Sequence, residues 1–369
     1  MSFGAIVARA WIGHGLLIFS PCFAQATPPL APSWIARVDA LFAEWDRPAS
    51  PGCALGIIQD GKLVHARGFG QASLEHSVPI TPRTVFDIGS TSKQFTAAAI
   101  GLLALENELG LEDEIHDWIP ELADYGVPVT LDHLLHHTSG LPDYLGLMGR
   151  KGVQMADWTT PADALLALAE VKQLDFVPGA RFEYSNTNYF LLSLVGERAS
   201  GTPFHEFVRA RLFEPLGMRD TLLFHDLVVP RRATAYGSRQ GGGYLVDMSD
   251  FEQLGDGAVQ TTVEDLLKWD ANFYSHTLGG APLQAFLHSP GRLTDGKASV
   301  YARGLFVDTF RGVARVSHGG AWAGYRAQLM RFPDQKTSIV CLSNLATMDP
   351  NGLCEQVAAI VLEDVLAPR

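Results

Sequence analysis

The sequence predicts an α/β (α+β) fold, one discontinuous domain with strands at both ends of the chain, interrupted by a helical domain. Three observations predict it. A hairpin pattern surrounds Asp60-Gly61, helical periodicity runs from about residue 116 to residue 235, and from about residue 240 Gly-rich turns alternate with Val/Leu/Phe runs. The α/β domain is assigned residues 27–115 and 240–369, and the helical domain residues 116–239.

Taken in order, the chain begins with a targeting pattern. Arg9 precedes an apolar run from Ala10 to Ala24, and Ala24-Gln25-Ala26 offers the small residues that a signal peptidase reads. His14 and Pro21 interrupt the run, which argues against a membrane anchor. A signal peptide over 1–26, cleaved after Ala26, is expected, with a periplasmic or secreted protein and no stable membrane span after cleavage. Pro32 to Trp45 spaces Ile35, Val38, Leu41, Phe42 and Trp45 at helical intervals. Cys53 to Gln59 and Leu63 to Gly68 flank Asp60-Gly61, a dipeptide suited to a tight hairpin. Phe86 to Ile88 turns at Gly89 into a helix continuing to Glu106. Leu111 to Ile119 is acidic and stops at Pro120. Helices are expected over Asp132–His137, Pro161–Val171, Thr187–Ser200 with Gly201 as its stop, and Phe204–Phe213 closed by Pro215-Leu216-Gly217. Strands are expected over Gly304–Thr309, Val313–Ser317, Tyr325–Phe332 and Ser338–Ser343. Helices Val263–Ser275 and Gly352–Leu366 complete the chain.

A net charge of −12 with no Lys/Arg run excludes nucleic acid as an expected partner. Cys53, Cys341 and Cys354 would remain after loss of Cys22, an odd number and no disulfide framework. Cys53 and Cys341 sit in apolar strand patterns and read as buried thiols, a bridge between them being the lesser option.

Three stretches carry chemistry. In Gly89-Ser90-Thr91-Ser92-Lys93, Ser90 falls in the first turn of a helix and Lys93 shares its face. A serine hydroxyl becomes a nucleophile when a neighbouring group takes its proton, and an amine one turn away can do so. Alone, the pair reads as a helix start with an exposed lysine. Tyr184-Ser185-Asn186 precedes another helix. A tyrosine hydroxyl beside an ammonium group loses its proton more easily, and Asn186 offers both a donor and an acceptor for a substrate amide or ester. Alone, this reads as a packed loop tyrosine and a helix cap. Ser317-His318-Gly319-Gly320-Ala321-Trp322 sits between two predicted strands, where it reads as a Gly-rich turn open to ligand approach.

Ser-x-x-Lys, then Tyr-x-Asn, then His-Gly-Gly, in that order, resembles the serine β-lactamase and penicillin-binding-protein superfamily. The likeness is greatest to its class C β-lactamase-like branch, with D-alanyl-D-alanine carboxypeptidases, D-amino-acid amidases and family VIII esterases. It covers about residues 34 to 366, including Leu131 to Pro142. The resemblance implies a β-lactamase/transpeptidase-like antiparallel sheet flanked by helices, with an inserted all-helical domain. It implies Ser90 as the acylated nucleophile, with Lys93 and Tyr184 sharing the proton work. Asn186, His318, Gly319 and Gly320 would bind substrate, and the backbone N–H groups of Ser90 and Ala321 would form the oxyanion hole. No cofactor or metal is implied. The expected activity is an exported serine hydrolase cleaving an ester, amide or D-amino-acid peptide bond. The alternatives are a weak β-lactamase and a penicillin-binding sensor that acylates without turnover.

The third motif departs from the Lys-Thr-Gly of β-lactamases. A histidine of ordinary pKa near 6.5 replaces a permanent cation. Cleavage of carboxylate-bearing substrates is therefore expected to weaken as pH rises through the His318 pKa. Two other mechanisms have less behind them. No Gly-x-Ser-x-Gly elbow of an α/β-hydrolase is present. His133, His136 and His137 could face one another on a helix as zinc ligands, but no His-Glu-x-x-His accompanies them. Trp322, Tyr144 and Tyr325 are candidates for an acyl pocket or for simple packing.

Overall fold

The computed structural model describes residues 1–2, 33–223 and 228–368. The expected signal peptide, with its apolar run, lies outside the described residues. Among these, no helix is long and apolar enough to cross a membrane.

A six-stranded antiparallel sheet is built from both ends of the chain. Its strands are β1 (Cys53–Gln59), β2 (Lys62–Phe69), β3 (Phe306–Phe310), β4 (Val313–Trp322), β5 (Tyr325–Phe332) and β6 (Thr337–Ser343), in the order β3-β4-β5-β6-β1-β2. The β1–β2 hairpin closes on Asp60 and Gly61, both at positive φ (48° and 72°), as the Asp-Gly signal predicts. Side chains alternate across the sheet. Cys53, Leu55, Ile57, Ile339 and Cys341 point to one face, where α1 (Trp34–Ala40) and the terminal helix, Pro350–Val361, cover them with Val38, Leu353 and Val357. Ala54, Ile58, Val340 and Leu342 point to the other, against Val263 and Leu266 of helix Val263–Ser275.

Behind that helix lies α2 (Lys93–Leu105), buried along nearly its whole length and packed against α3 (Asn186–Ser200). The same apolar cluster reaches Leu131, Leu134, Tyr189 and Phe213, so helices from the middle of the chain share a core with the sheet. Contacts join Trp34–Arg369 into one compact unit. Gly201 and Gly217 take the left-handed conformation after their helices, the stops expected of them. Helix Phe204–Val208 widens into a π-turn over Arg209–Phe213. Among the features that went unread in the sequence are a small sheet of Phe86–Asp87, Leu222–Leu223 and Val259–Thr261, and a pair of helices at Tyr144–Arg150 and Gly280–Leu287.

Candidate active site

The Ser90 turn is shaped by its neighbours. Asp87 Oδ1 accepts the Gly89 N–H at 2.7 Å, and Gly89 takes φ +48°. Gly89–Ser92 then form a 3₁₀ turn rather than the first α-turn, and α2 starts at Lys93. In 3₁₀ geometry residues three apart eclipse, so the Lys93 side chain lies over Ser90. Thr91 Oγ1 donates to the His318 carbonyl at 3.2 Å and ties the turn to β4.

Lys93 is fully buried. Its Nζ donates to Ser90 Oγ (3.1 Å), Asn186 Oδ1 (2.9 Å) and the Asp256 carbonyl (2.6 Å). The Asn186 amide cannot turn. Its Nδ2 and backbone N–H both donate to Asp143 Oδ2, at 3.0 and 2.6 Å, which leaves Oδ1 for Lys93. Two of the three Nζ directions therefore face pure acceptors and need a proton there. The third faces Ser90, and it can hold either a proton or the lone pair that receives one. The Tyr184 ring packs 4.9 Å from Nζ, and the Tyr184 hydroxyl is buried with no hydrogen-bond partner among the described residues.

The His-Gly-Gly stretch is not a turn between strands. It lies inside β4, which runs ten residues from Val313 to Trp322. Glycine is needed there for close approach: a Cβ on Gly320 would stand 1.9 Å from the Ile88 carbonyl oxygen. Beyond Ser317, β4 has no strand partner on its β3 side among the described residues. The pairs Phe306–Ser317 and Trp322–Tyr325, with the antiparallel alternation, aim the Ala321 N–H at that open edge, towards the Ser90 turn. A Cβ on Gly89 would lie 2.7 Å from the Ala321 nitrogen, which shows how closely the two backbones meet. Ser90 and Ala321 thus lie side by side, and both line the two hollows at the Ser90 hydroxyl.

Two hollows meet at Ser90. A cavity of about 130 Å³ is lined by Tyr144, Asn186, Asp256, Trp322 and Tyr325 among others, so the three aromatic candidates all border it. A groove of about 510 Å³ on the other side is lined by Tyr184, Phe306, His318, Gly319, Arg326 and Asn351 among others. Sequence reasoning missed Asp256, Asp143 and Tyr301. Asp256 stands in Gly255-Asp256-Gly257, which looks like any turn, and its carboxyl is buried and hydrogen-bonded by Tyr144 Oη at 3.0 Å. Burial pushes the Asp256 pKa up to about 7 and that of Asp87 up to about 6.

His318 requires a correction. Its ring is buried, Nδ1–H donates to the Gly319 carbonyl at 2.6 Å, and Nε2 accepts from Tyr301 Oη at 3.1 Å. Burial, with the Lys93 cation second, lowers its pKa to about 3. It is neutral above that pH and both nitrogens are engaged. It therefore cannot anchor a substrate carboxylate as a cation, and the expected fall in recognition through pH 6.5 does not arise. The other histidines hold the fold. His133 Nδ1 accepts the Thr130 N–H in a capping box, and His136 bridges Asp132 and the Ser289 carbonyl. His137 packs among tyrosines. Cys53, Cys341 and Cys354 are free and buried.

This geometry is that of a serine acyl-transfer site. Residues 38–362 match the β-lactamase family, and the chain belongs to it, a family of serine hydrolases. It is 30% identical to penicillin-binding protein 4* of Bacillus subtilis over 311 residues, 78% of this chain and 66% of that protein. It is 28% identical to a D-aminopeptidase of Cereibacter sphaeroides over 295 residues, 80% of this chain and 57% of that one. The chain thus spans about three fifths of the length of the curated relatives it matches. Among solved structures, the octameric penicillin-binding protein homologue from Pyrococcus abyssi superimposes with a TM-score of 0.78 at 27% identity, covering 89% of this chain and 77% of that one.

Proposed function

We propose that this protein is an exported serine hydrolase that cleaves an ester, amide or D-amino-acid peptide bond through an acyl-enzyme at Ser90. The observation that carries this is the Lys93 ammonium, buried and held by Asn186 and Asp256 so that its one exchangeable direction faces Ser90 Oγ. In acylation, Lys93 acts as the neutral amine, with its lone pair in the direction that faces Ser90; it takes the Ser90 proton as Oγ attacks the substrate carbonyl, and the oxyanion forms between the Ser90 and Ala321 N–H groups. Each such donor is worth about 3 kcal/mol of barrier. Tyr184, on the groove side, hands a proton to the leaving group. Deacylation reverses these roles, with water as the nucleophile.

The D-amino-acid option rests on the D-aminopeptidase relatives, and export rests on the residues before Thr27. A carboxylate-anchored β-lactam is the poorer substrate, because His318 supplies no charge. The test compares p-nitrophenyl butyrate, nitrocefin and a D-Ala-D-Ala peptide, with Ser90→Ala alongside. Turnover of one class, abolished in Ser90→Ala, is expected. A wild-type rate in Ser90→Ala would overturn the reading. Labelling of Ser90 by a fluorescent penicillin with no turnover of any substrate would favour a binding protein instead.

A further inference from the structure

His137 has no part in the mechanism above, yet it sits directly behind one of its residues. It follows helix Leu131–Leu135 and holds a left-handed conformation, φ 54°, costly for a non-glycine residue. Its carbonyl accepts the Glu183 N–H at 2.9 Å, and its Nδ1 accepts the Ser185 N–H at 3.3 Å. One residue thus grips the backbone on both sides of Tyr184. Its ring also stacks on the Tyr184 ring, with centroids 4.3 Å apart and planes at 34°.

The imidazole tautomer follows from a chain of donors. The Leu141 N–H donates to Ser139 Oγ (3.1 Å), so the Ser139 proton goes to Asn188 Oδ1 (2.6 Å). The Asn188 amide then presents Nδ2 to His137 Nδ1 at 3.1 Å. Nδ1 faces two N–H groups and must be the bare nitrogen, with the ring proton on Nε2. A second proton has no place at Nδ1, and burial, with the Lys93 charge nearby second, lowers the pKa well below the usual value.

We propose that His137 is a positioning residue for Tyr184. It is a clamp that holds the phenol against Lys93 Nζ, on the wall of the groove. The proposal rests on Tyr184 moving a proton in the reaction. The groups that face the Tyr184 ring are Lys93 from α2, His137, Tyr301 and His318 from β4. Among them Lys93 Nζ is the group with which Tyr184 would share the proton work, so the placement of the phenol against it governs that work.

The experiment measures kcat, KM and the pH profile of kcat on an alkyl butyrate ester, whose alkoxide leaving group must be protonated, for the full chain and its variants. Final extent of Ser90 labelling by a fluorophosphonate, together with thermal melts, shows that each variant is folded. His137→Leu removes the acceptor and the stacked ring. It should lower kcat on the order of a hundredfold at nearly constant KM, the usual consequence of a misplacement of about 1 Å, and should shift the acid limb of the profile upward. His137→Asn keeps an acceptor oxygen and tolerates positive φ, and should recover most of that loss. A folded His137→Leu with wild-type kcat and profile would overturn the proposal, as would equal losses in the two variants. If His137→Leu does not fold, Asn188→Asp serves. The introduced carboxylate draws a proton onto Nδ1 and takes the acceptor from Ser185, so kcat and the acid limb should again move, and an unchanged profile overturns the clamp. Tyr184→Phe separates the two failures. If it too keeps the wild-type rate, the role of Tyr184 is wrong; if it loses activity while His137→Leu does not, the clamp alone is wrong.

Discussion

Gly320→Ala should disable the enzyme while adding a single methyl group. The Cβ would stand 1.9 Å from the Ile88 carbonyl oxygen, and real Cβ atoms essentially never come within 3.0 Å of such an atom. The strand must therefore retreat by at least 3.0 − 1.9 = 1.1 Å. Both partners are backbone, so no side chain can swing aside. The retreat carries the adjacent Ala321 N–H away from the oxyanion position. Losing one preorganised donor costs about 3 kcal/mol, or on the order of a hundredfold in kcat. The overpacking itself costs about 1–3 kcal/mol of stability. Gly319→Ala is the control. Its Cβ meets Gln328 Oε1 at 2.7 Å, the far end of a side chain that can rotate away. Its rate should fall much less than that of Gly320→Ala, because only a side chain has to give way. The assay is burst titration of acylated enzyme with the turnover rate of a chromogenic ester, and thermal melts to confirm folding. A folded Gly320→Ala with a wild-type rate would refute the claim that the approach of β4 places the oxyanion donor.

Other consequences are testable on stability and titration. Asp256 keeps its proton up to about pH 7 when folded but releases it near its ordinary 3.8 when unfolded. Between those values the native state binds more protons, so stability falls as pH rises. Asp256→Asn, whose amide oxygen can still accept from Tyr144, should remove that loss. Its melting-temperature advantage over wild type should widen from about pH 4 to about pH 7 and then stay constant; a gap independent of pH would count against the buried carboxyl. His318 has the opposite sign. Its folded pKa of about 3 lies below 6.5, so the unfolded chain binds the extra proton and stability rises with pH across that window, flat above it. Its ring NMR resonances should accordingly not move between pH 5 and 8, and a titration in that range would refute the assignment. Arg331 and Asp270 form a buried pair at 2.7 Å, each 1% exposed, with Ser338 also donating to Asp270. Arg331→Leu strands the carboxylate and should cost about 3–5 kcal/mol in chemical denaturation.

What the sequence made legible was whatever a local rule dictates. Asp60-Gly61 demands a hairpin, Gly201 and Gly217 end helices, and Tyr325–Phe332 reads as a strand-length run set off by Gly-rich turns. Ser90, Lys93, Tyr184 and Asn186 could be singled out because their spacing has a chemical purpose, and they do meet at one place. His318-Gly319-Gly320 was misread because glycine pairs have two uses. In a turn they supply unusual φ, but here they let one backbone approach another, and only the partner at Ile88 reveals which. Tyr301 and Asp256 were invisible for a different reason. Each acts through long-range contacts, among them Tyr301 on His318 and the Asp256 carbonyl on Lys93, and neither has a periodic or local signature. The buried neutrality of His318 belongs with these, since it depends on what covers the ring and not on the motif.

The same contacts separate two tasks that a single lysine would otherwise carry. Lys93 has three hydrogen-bond directions, and Asn186 Oδ1 and the Asp256 carbonyl occupy two of them permanently. The remaining one points at Ser90, so Lys93 is well placed to exchange a proton with the nucleophile and badly placed to reach a leaving group. A leaving group departing along the groove meets Tyr184, whose hydroxyl has no partner among the described residues. His318, on the same wall, is already spent on Tyr301 and the Gly319 carbonyl. On the proposed mechanism, proton delivery on that side falls to Tyr184, whose ring packs against Lys93 Nζ. Lys93 variants should then lose acylation itself, whereas Tyr184→Phe should be rescued in part by substrates whose leaving group needs no proton, such as p-nitrophenolate.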